Sequence, residues 1–317
     1  MKKRNQTLLD TPRTGLSFWQ KMLRDWQLWV LAAIPITFFI LFRYLPMFGV
    51  VISFQDYKMG APFIGPKTDW VGFKHFIRFF NNPYCWRYIK NTLAISVLSI
   101  LFNFPAGILL ALLFNEIRIS RLRSFATSVS ILPHFISVVV IVAMLKNLFS
   151  VDTGLVNTIL ESMGMESIDF LGTSEWFRPL YIGSGIWSGA GYAAIVYTAA
   201  IAGIDPGLYE ASKIDGANRW HQLLHITLPC LIPTIVTMLI LRIGNVMSVG
   251  YEKVLLMQTG ATNDVADILS TYTYRIGILD GQSSYAAAIG LFNSVVNLIL
   301  IIIANTTSRK LTDSSLW

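Results

Sequence analysis

Two histidines four residues apart, His221 and His225, stand in a polar block that also carries Glu210, Lys213, Asp215 and Arg219. An H-x-x-x-H pair on one helical face is the spacing used by zinc proteases, but that site needs a glutamate directly after the first histidine. Gln222 occupies that position, and no third ligand stands out. No G-x-x-x-x-G-K-[ST] loop occurs, so the chain has no phosphate cradle of its own and any ATP hydrolysis must come from a partner. Cys85 and Cys230 are isolated in sequence and form neither a metal knuckle nor a disulfide framework. No Ser/His/Asp or Cys/His arrangement suggests a nucleophile. The chain is therefore not expected to be an enzyme: no catalytic residue, no metal and no cofactor are expected in it.

The elements around this block are oily. Of 317 residues only 14% are charged and 54% are hydrophobic, with a mean hydropathy of +0.55. A soluble domain carries about 25% charged residues, so this chain lacks the polar groups to cover a water-facing surface. The composition predicts an all-α membrane protein. The net charge of +7 is read as basic cytoplasmic edges and not as a nucleic-acid surface. A basic N-terminal segment, 1–26 (Lys2, Lys3, Arg4, Arg13, Lys21, Arg24), precedes an apolar run that lacks a small-residue cleavage site and is too long for a signal-peptide core. It reads as a retained anchor.

A helix crossing the hydrocarbon needs about 20 mostly apolar residues. Six stretches qualify, at 27–53, 91–115, 126–149, 178–203, 230–250 and 286–305. They form one six-span membrane domain over 27–305, followed by a tail at 306–317. Pro35, Pro46, Pro105, Pro133 and Gly244 lie inside them, which neighbouring helices must compensate, so a packed bundle is expected. Arg118, Arg121 and Arg123 lie in one short loop, Arg309 and Lys310 in the tail, and 150–177 holds acidic residues with no Lys or Arg. The basic side is expected to be cytoplasmic, with both termini inside. The 54–90 connection runs against this rule, carrying Lys58, Lys67, Lys74, Arg78, Arg87 and Lys90; its residues 72–90 read as an amphipathic surface helix.

The polar block falls between the fourth and fifth spans, on the expected cytoplasmic side. Asp205-Pro206 starts a helix well, because Asp accepts from first-turn N–H groups and proline loses nothing at the first helical position. Leu208, Ala211 and Ile214 give it a partly apolar face. Gly216 suits the left-handed position that ends such a helix. Asn218 can cap a second helix with Trp220, Leu223 and Leu224 as its stripe, broken by Pro229 and Pro233 before the fifth span. This helix–turn–helix either rests in the headgroups or docks into a groove of a cytoplasmic partner. Periodicity alone leaves both readings open.

The spacing Glu210-Ala211-Ser212, three residues, Gly216, nine residues, Ile226-x-Leu228-Pro229 resembles the EAA signature of the membrane subunits of ABC importers. Ser212 stands where that pattern has a second alanine. The segments "FRYLPMFGVVISFQDYK", "NTLAISVLSILFNFPAGILLALLFNE" and "SRKLTDSSLW" extend the resemblance over nearly the whole chain, to carbohydrate permeases of the LplB type, which are assigned to oligosaccharides or polysaccharide fragments. The resemblance implies a six-span type I importer fold with coupling helices at 205–228. It assigns ATPase coupling to Glu210, Ala211, Ser212, Asp215, Gly216, Ala217, Leu228 and Pro229. It further implies a second, similar permease, two ATPase subunits that bind ATP and Mg2+, an extracellular solute-binding lipoprotein and a bacterial cell membrane.

Sugars need hydrogen-bonding groups for their hydroxyls and aromatic faces for their C–H surfaces, near the bilayer midplane. Candidates are Trp187, Tyr192 and Tyr197 in the fourth span, Asn245 and Ser248 in the fifth, and Asn293 and Asn297 in the sixth. Each has the alternative role of helix–helix glue. Arg43 is expected to snorkel to the interface and Arg242 to pair within the bundle. Gly183, Gly185, Gly189 and Gly191 are expected to mark close packing or flexibility. Segment 251–285 is read as an outer gate and receptor contact, with "TGATND" where carbohydrate permeases commonly have a Gly-Gly-Pro turn. An ion-gradient-driven transporter is the alternative; intramembrane carboxylates for a proton or sodium relay are scarce. A receptor or scaffold is disfavoured by the lack of a large soluble domain.

Overall fold

The computed structural model describes residues 24–58, 60, 62–65 and 69–312. The basic residues of the N-terminal segment up to Lys21, Lys67 of the first connection and the last five residues of the tail lie outside that range. Five helices are long and apolar enough to cross a membrane, and a bent helix pair makes a sixth. Among the described residues the only strand-like pairing is one isolated bridge between Gln55 and Trp70.

Helix α1 (Trp26–Phe54) contains a π turn at Ile40–Tyr44, directly before Pro46. A proline ring strikes the carbonyl four residues back, here that of Phe42. A π turn at that point widens the backbone and lets the helix continue. Helix α2 (Lys74–Phe80) lies before α3 (Cys85–Glu116). The expected surface helix over 72–90 is thus shorter, and its last turn belongs to the second span. The break is local: Asn82 Oδ1 accepts from the Tyr84 backbone N–H at 2.9 Å, closing an Asx turn over Pro83.

The run expected as one span over 126–149 is two helices, α4 (Ser120–Phe135) and α5 (Val138–Leu148), meeting at 96°. Pro133 tightens the end of α4 into a 3-10 turn, Ile136 is extended, and Ser137 accepts from the Val140 N–H to start α5 afresh. After the short α6 (Leu155–Ser162), helix α7 (Ser174–Ala202) forms the centre of the bundle. In its most apolar stretch 28% of residues are buried, against 0% for α1, which packs on its own chain only toward its end, where Ser53 is buried.

Helix α8 (Pro206–Ile214) leads to α9 (Arg219–Ile243). Contrary to the expectation that Pro229 and Pro233 break a second short helix before the fifth span, α9 runs through both. The reason repeats that in α1, since a π turn at Leu223–Thr227 encloses His225, four residues before Pro229. The fifth span ends at Ile243 instead of residue 250, and the chain unwinds over 244–250. Three short helices follow, α10 (Tyr251–Met257), α11 (Asn263–Ala266) and α12 (Leu269–Tyr274), before α13 (Ser283–Thr312).

Unwound backbone inside a bilayer needs internal partners, and one face of α3 supplies them. Ser96 Oγ donates to the Val246 carbonyl, Thr92 Oγ1 accepts from the Leu269 N–H at 2.9 Å, and Asn91 Nδ2 donates to the carbonyls of Asp264 and Asp267 at 2.9 and 3.1 Å. Asn297 on α13 accepts from the Met247 N–H at 2.9 Å. Close helix contact does the rest. A Cβ at Gly191 would collide with the Ser130 carbonyl, and one at Gly185 would lie 2.7 Å from Asn103 Nδ2, whereas Gly183 and Gly189 face open space. Of the four glycines expected to mark close packing or flexibility, Gly185 and Gly191 mark close approaches.

The basic 54–90 connection uses its cations locally. Lys74 Nζ lies 2.6 Å from Asp56, and its hydrogen bond holds that carboxyl below the ordinary aspartate range. The Arg78 guanidinium covers the Tyr285 ring at 4.3 Å and that of Arg87 covers the Tyr84 ring at 4.5 Å. Such contacts give these charges partners whichever side of the membrane they face.

Candidate coupling loop and translocation face

The polar block is a rigid two-helix knob. Asp205 Oδ1 accepts from the Gly207 N–H at 2.9 Å, with Pro206 in the first turn, and Asn218 Oδ1 accepts from the His221 N–H at 2.9 Å. Between the caps, the Gly216 N–H donates to the Lys213 carbonyl at 3.1 Å and the Ala217 N–H to the Ser212 carbonyl at 2.9 Å. This is the paired closure of a Schellman turn, which places its glycine in the left-handed region; Gly216 has φ +78°. Asp215 is the residue at which α8 ends.

Four side chains bind the two helices together, and none of their contacts follows from periodicity. Gln222 Nε2 donates to Ser212 Oγ at 3.0 Å, and Ser212 Oγ itself donates to the Tyr209 carbonyl at 2.9 Å. The hydroxyls of Tyr209 and Thr227 are 2.9 Å apart. Gln222 and Thr227 are buried. Arg219 reaches out of the knob to Glu116 at the end of α3, at 3.0 Å. An open pocket of about 660 Å³ lies in the angle, with Glu116, Arg123, Lys213 and Arg219 on its wall.

The opposite side of the knob is bare. Ile214 is 87% exposed and Trp220 66%, while Leu208 and Leu224 are also exposed. Glu210 and Ala211 are exposed beside them, and Glu210 makes no ion pair among the described residues. Leu228 and Pro229 open the straight part of α9. The two histidines stack on each other with ring centres 5.5 Å apart; His221 Nδ1 lies 3.2 Å from Asn218 Oδ1 and His225 Nδ1 lies 3.1 Å from the His221 carbonyl. No group of three His, Cys, Asp or Glu among the described residues is placed to hold a metal.

The expected substrate-path residues divide into two sets. Trp187 and Tyr192 are exposed on α7. Tyr192 stacks on His134, with ring centres 4.0 Å apart and planes 7° from parallel. His134 sits at the α4–α5 break; it went unnoticed in the sequence, where its position beside Pro133 was the one available signal. Tyr197, by contrast, is buried in the core with Phe104, Ala194 and Leu231. Asn245 donates to the Leu241 carbonyl at 2.9 Å, and Asn297 Nδ2 donates to Ser248 Oγ at 2.9 Å, so these groups pin the unwound end of the fifth span. Asn293 Oδ1 is buried with no partner among the described residues. Arg43 lies in the π turn of α1, and Arg242, expected to pair within the bundle, is exposed with no ion pair among the described residues.

Segment 251–285 packs its three short helices into the core: Val254, Met257 and Ala266 join Ile95, Val142 and Tyr181 in one cluster, while Leu269 and Tyr272 of α12 join Phe79, Tyr88 and Tyr285 in another. Asp267 is almost fully enclosed, 2.7 Å from Arg275 Nη2 and accepting from Thr271 Oγ1 at 2.8 Å.

Residues 103–313 match the family described as "binding-protein-dependent transport system inner membrane component". The polygalacturonan/rhamnogalacturonan transport system permease protein YteP of Bacillus subtilis (strain 168) is 43% identical over 298 residues, 94% of this chain and 92% of that protein. Protein LplB of the same organism is 41% identical over 317 residues, 100% of this chain and 98% of that protein. Among solved structures, a chain of a bacterial alginate ABC transporter, in complex with an alginate pentasaccharide-bound periplasmic protein, superposes with a TM-score of 0.86 at 40% identity. That match covers 94% of this chain and 99% of that one.

Proposed function

The chain belongs to the family of binding-protein-dependent transport inner membrane components, and from that premise we propose that it imports oligosaccharide fragments by ATP-driven alternating access. It is a multi-pass transport subunit and not an enzyme. The observation that carries the coupling role is the bare face of the knob. Ile214 and Trp220, exposed beside Glu210, stand on a frame fixed by two caps and a Schellman turn. An apolar patch held this rigidly fits a groove in a separate ATPase subunit. That subunit binds ATP and Mg2+, and Glu210 meets a basic residue there. ATP binding shifts the inward–outward equilibrium only by the difference in its contacts with the two states, and a stiff knob transmits that difference to α7 and α9.

The other partners follow from the same reading. Helix α1 buries none of its most apolar stretch in its own chain, which suits packing against a second permease. Relatives are described as moving polygalacturonan or rhamnogalacturonan fragments and alginate, and the alginate assembly includes a periplasmic binding protein. An external solute-binding lipoprotein and an oligosaccharide cut from a polysaccharide are the corresponding partner and cargo here. The knob faces the cytoplasm of a bacterial cell, with both termini on that side.

Affinity purification from native membranes tests the assembly. The expected outcome is co-purification of an ATPase, a second permease and a lipoprotein, with ATP-dependent sugar uptake after reconstitution. Uptake by this chain alone, driven by a proton gradient, would overturn it.

A further inference from the structure

On α7, Gly185, Ser188, Gly189 and Tyr192 fall on one helical face. The stretch covers two turns, about 10 Å. A Cβ at Gly189 would meet nothing within 4 Å, and Tyr192 is half exposed, so the face is open from Gly189 to Tyr192 in this chain. Its two ends carry different chemistry. At one end the Tyr192 ring lies flat against His134. At the other, Lys253 of α10 and Asn103 of α3 converge on Gly185: a Cβ there would lie 2.7 Å from Asn103 Nδ2 and 3.7 Å from Lys253 Nζ.

Lys253 is the unusual member. Its Nζ donates to the Tyr181 carbonyl at 2.8 Å and lies 4.4 Å from the centre of the Tyr181 ring. It pairs with no carboxylate among the described residues. Asn103, near the middle of the second span, keeps a buried Oδ1 without a partner among those residues. An ionisable group at this depth is costly, and such groups mark substrate pathways. A carbonyl and a ring face compensate the charge in part; a carboxylate would do so fully.

We propose that Lys253, seated with Asn103 over Gly185, reads the carboxylate of a uronic-acid oligosaccharide whose neighbouring ring lies along the open face of α7 toward Tyr192 and His134. This rests on the carbohydrate-import reading and specifies its substrate as acidic. Gly189, with the small Ser188 beside it, leaves room for a sugar ring against the helix. The flat aromatic face of Tyr192 suits the C–H side of a pyranose, and Asn103 can donate through Nδ2 to the same carboxylate. The solved relatives include an importer of the acidic polysaccharide alginate, and a curated relative is described as handling polygalacturonan, so carboxylate-bearing cargo is within the reach of this architecture.

The test measures binding of trigalacturonate and of its carboxyl-reduced, neutral counterpart to the purified permease–ATPase assembly. A hydrogen bond to a charged group contributes roughly 1.5–3 kcal/mol, so Lys253→Met should lower the preference for the acid by about tenfold to a hundredfold. Lys253→Arg should retain most of the preference. Asn103→Asp sets a carboxylate on the same glycine as the ammonium, and should lower the preference without shortening the lysine. An unchanged acid-to-neutral ratio in both Lys253→Met and Asn103→Asp would overturn the proposal while leaving sugar import standing. A wild-type assembly that binds neither sugar would remove the carbohydrate reading itself, and this proposal with it.

Discussion

Gln222 Nε2 donates to Ser212 Oγ at 3.0 Å, bridging the two helices of the knob from beneath their turn. The position where the importer signature has a second alanine thus holds a hydroxyl with a structural partner. The substitution preserves size, as its sequence suggests, and adds a polar contact that size does not reveal.

That contact predicts non-additivity. Removing a typical hydrogen bond costs about 1 kcal/mol, and residues sharing one contact do not add. Ser212→Ala and Gln222→Ala should each lower the melting temperature of the detergent-solubilised assembly slightly, and the double variant should fall little further than Gln222→Ala alone. Fully additive losses would show that the two side chains act independently.

Gly216 sets the angle between the helices. At φ +78° a residue with a Cβ is strained, and a left-handed conformation costs an ordinary L-residue roughly 1–2 kcal/mol. Gly216→Val should therefore loosen or re-aim the knob, and Gly216→Asn should do so less, because Asn tolerates that region. Sugar uptake and substrate-stimulated ATP hydrolysis in proteoliposomes should follow the order Gly, Asn, Val.

Glu210 is exposed and makes no ion pair among the described residues, so Glu210→Lys should leave membrane insertion and the second permease's association unchanged. Uptake should nevertheless be abolished, since like charge then meets the basic residue proposed on the ATPase. Wild-type transport in Glu210→Lys would remove the coupling role assigned to that carboxylate.

The Glu116–Arg219 pair is the contrasting case. Both side chains are substantially exposed, at 41% and 54%, and exposed ion pairs contribute about 0–1 kcal/mol. Arg219→Gln should shift the melting temperature of the assembly barely at all. A large loss would mean that the pair becomes buried once the ATPase is docked.

How much of this was legible depended on the range of the contact. The caps at Asp205 and Asn218 and the turn at Gly216 act within a few residues, and the sequence pattern locates them. The bend at Ile136–Ser137 was not legible, because hydropathy runs unbroken from 126 to 149 and a proline in a span signals strain without its outcome. Pro133 ends a helix, whereas Pro46 and Pro229 do not, since each of these is preceded by a π turn. Contacts such as Tyr209–Thr227 and Asn91 with the carbonyls of Asp264 and Asp267 join residues far apart in sequence. Nothing in spacing announces them. Tyr197 shows the converse limit: an aromatic residue in a span reads the same whether it faces a cavity or, as here, the core.

Asp267 and Arg275 provide the sharpest energetic test in segment 251–285. The Asp267 side chain is 4% exposed and bonded to Arg275 at 2.7 Å, with Thr271 as its other side-chain partner. Removing one member of a buried pair leaves an uncompensated charge and costs about 3–5 kcal/mol, whereas replacing both members by apolar residues is often nearly neutral. Arg275→Met should accordingly destabilise the segment around α11 and α12 far more than Arg219→Gln affects the knob. Adding Asp267→Leu to Arg275→Met should recover much of the loss. Protease accessibility of the 258–282 region in the assembled transporter measures both effects. If Arg275→Met proves no more accessible than the wild type, the carboxylate is solvated in the assembly and the pair is not the clasp of this segment.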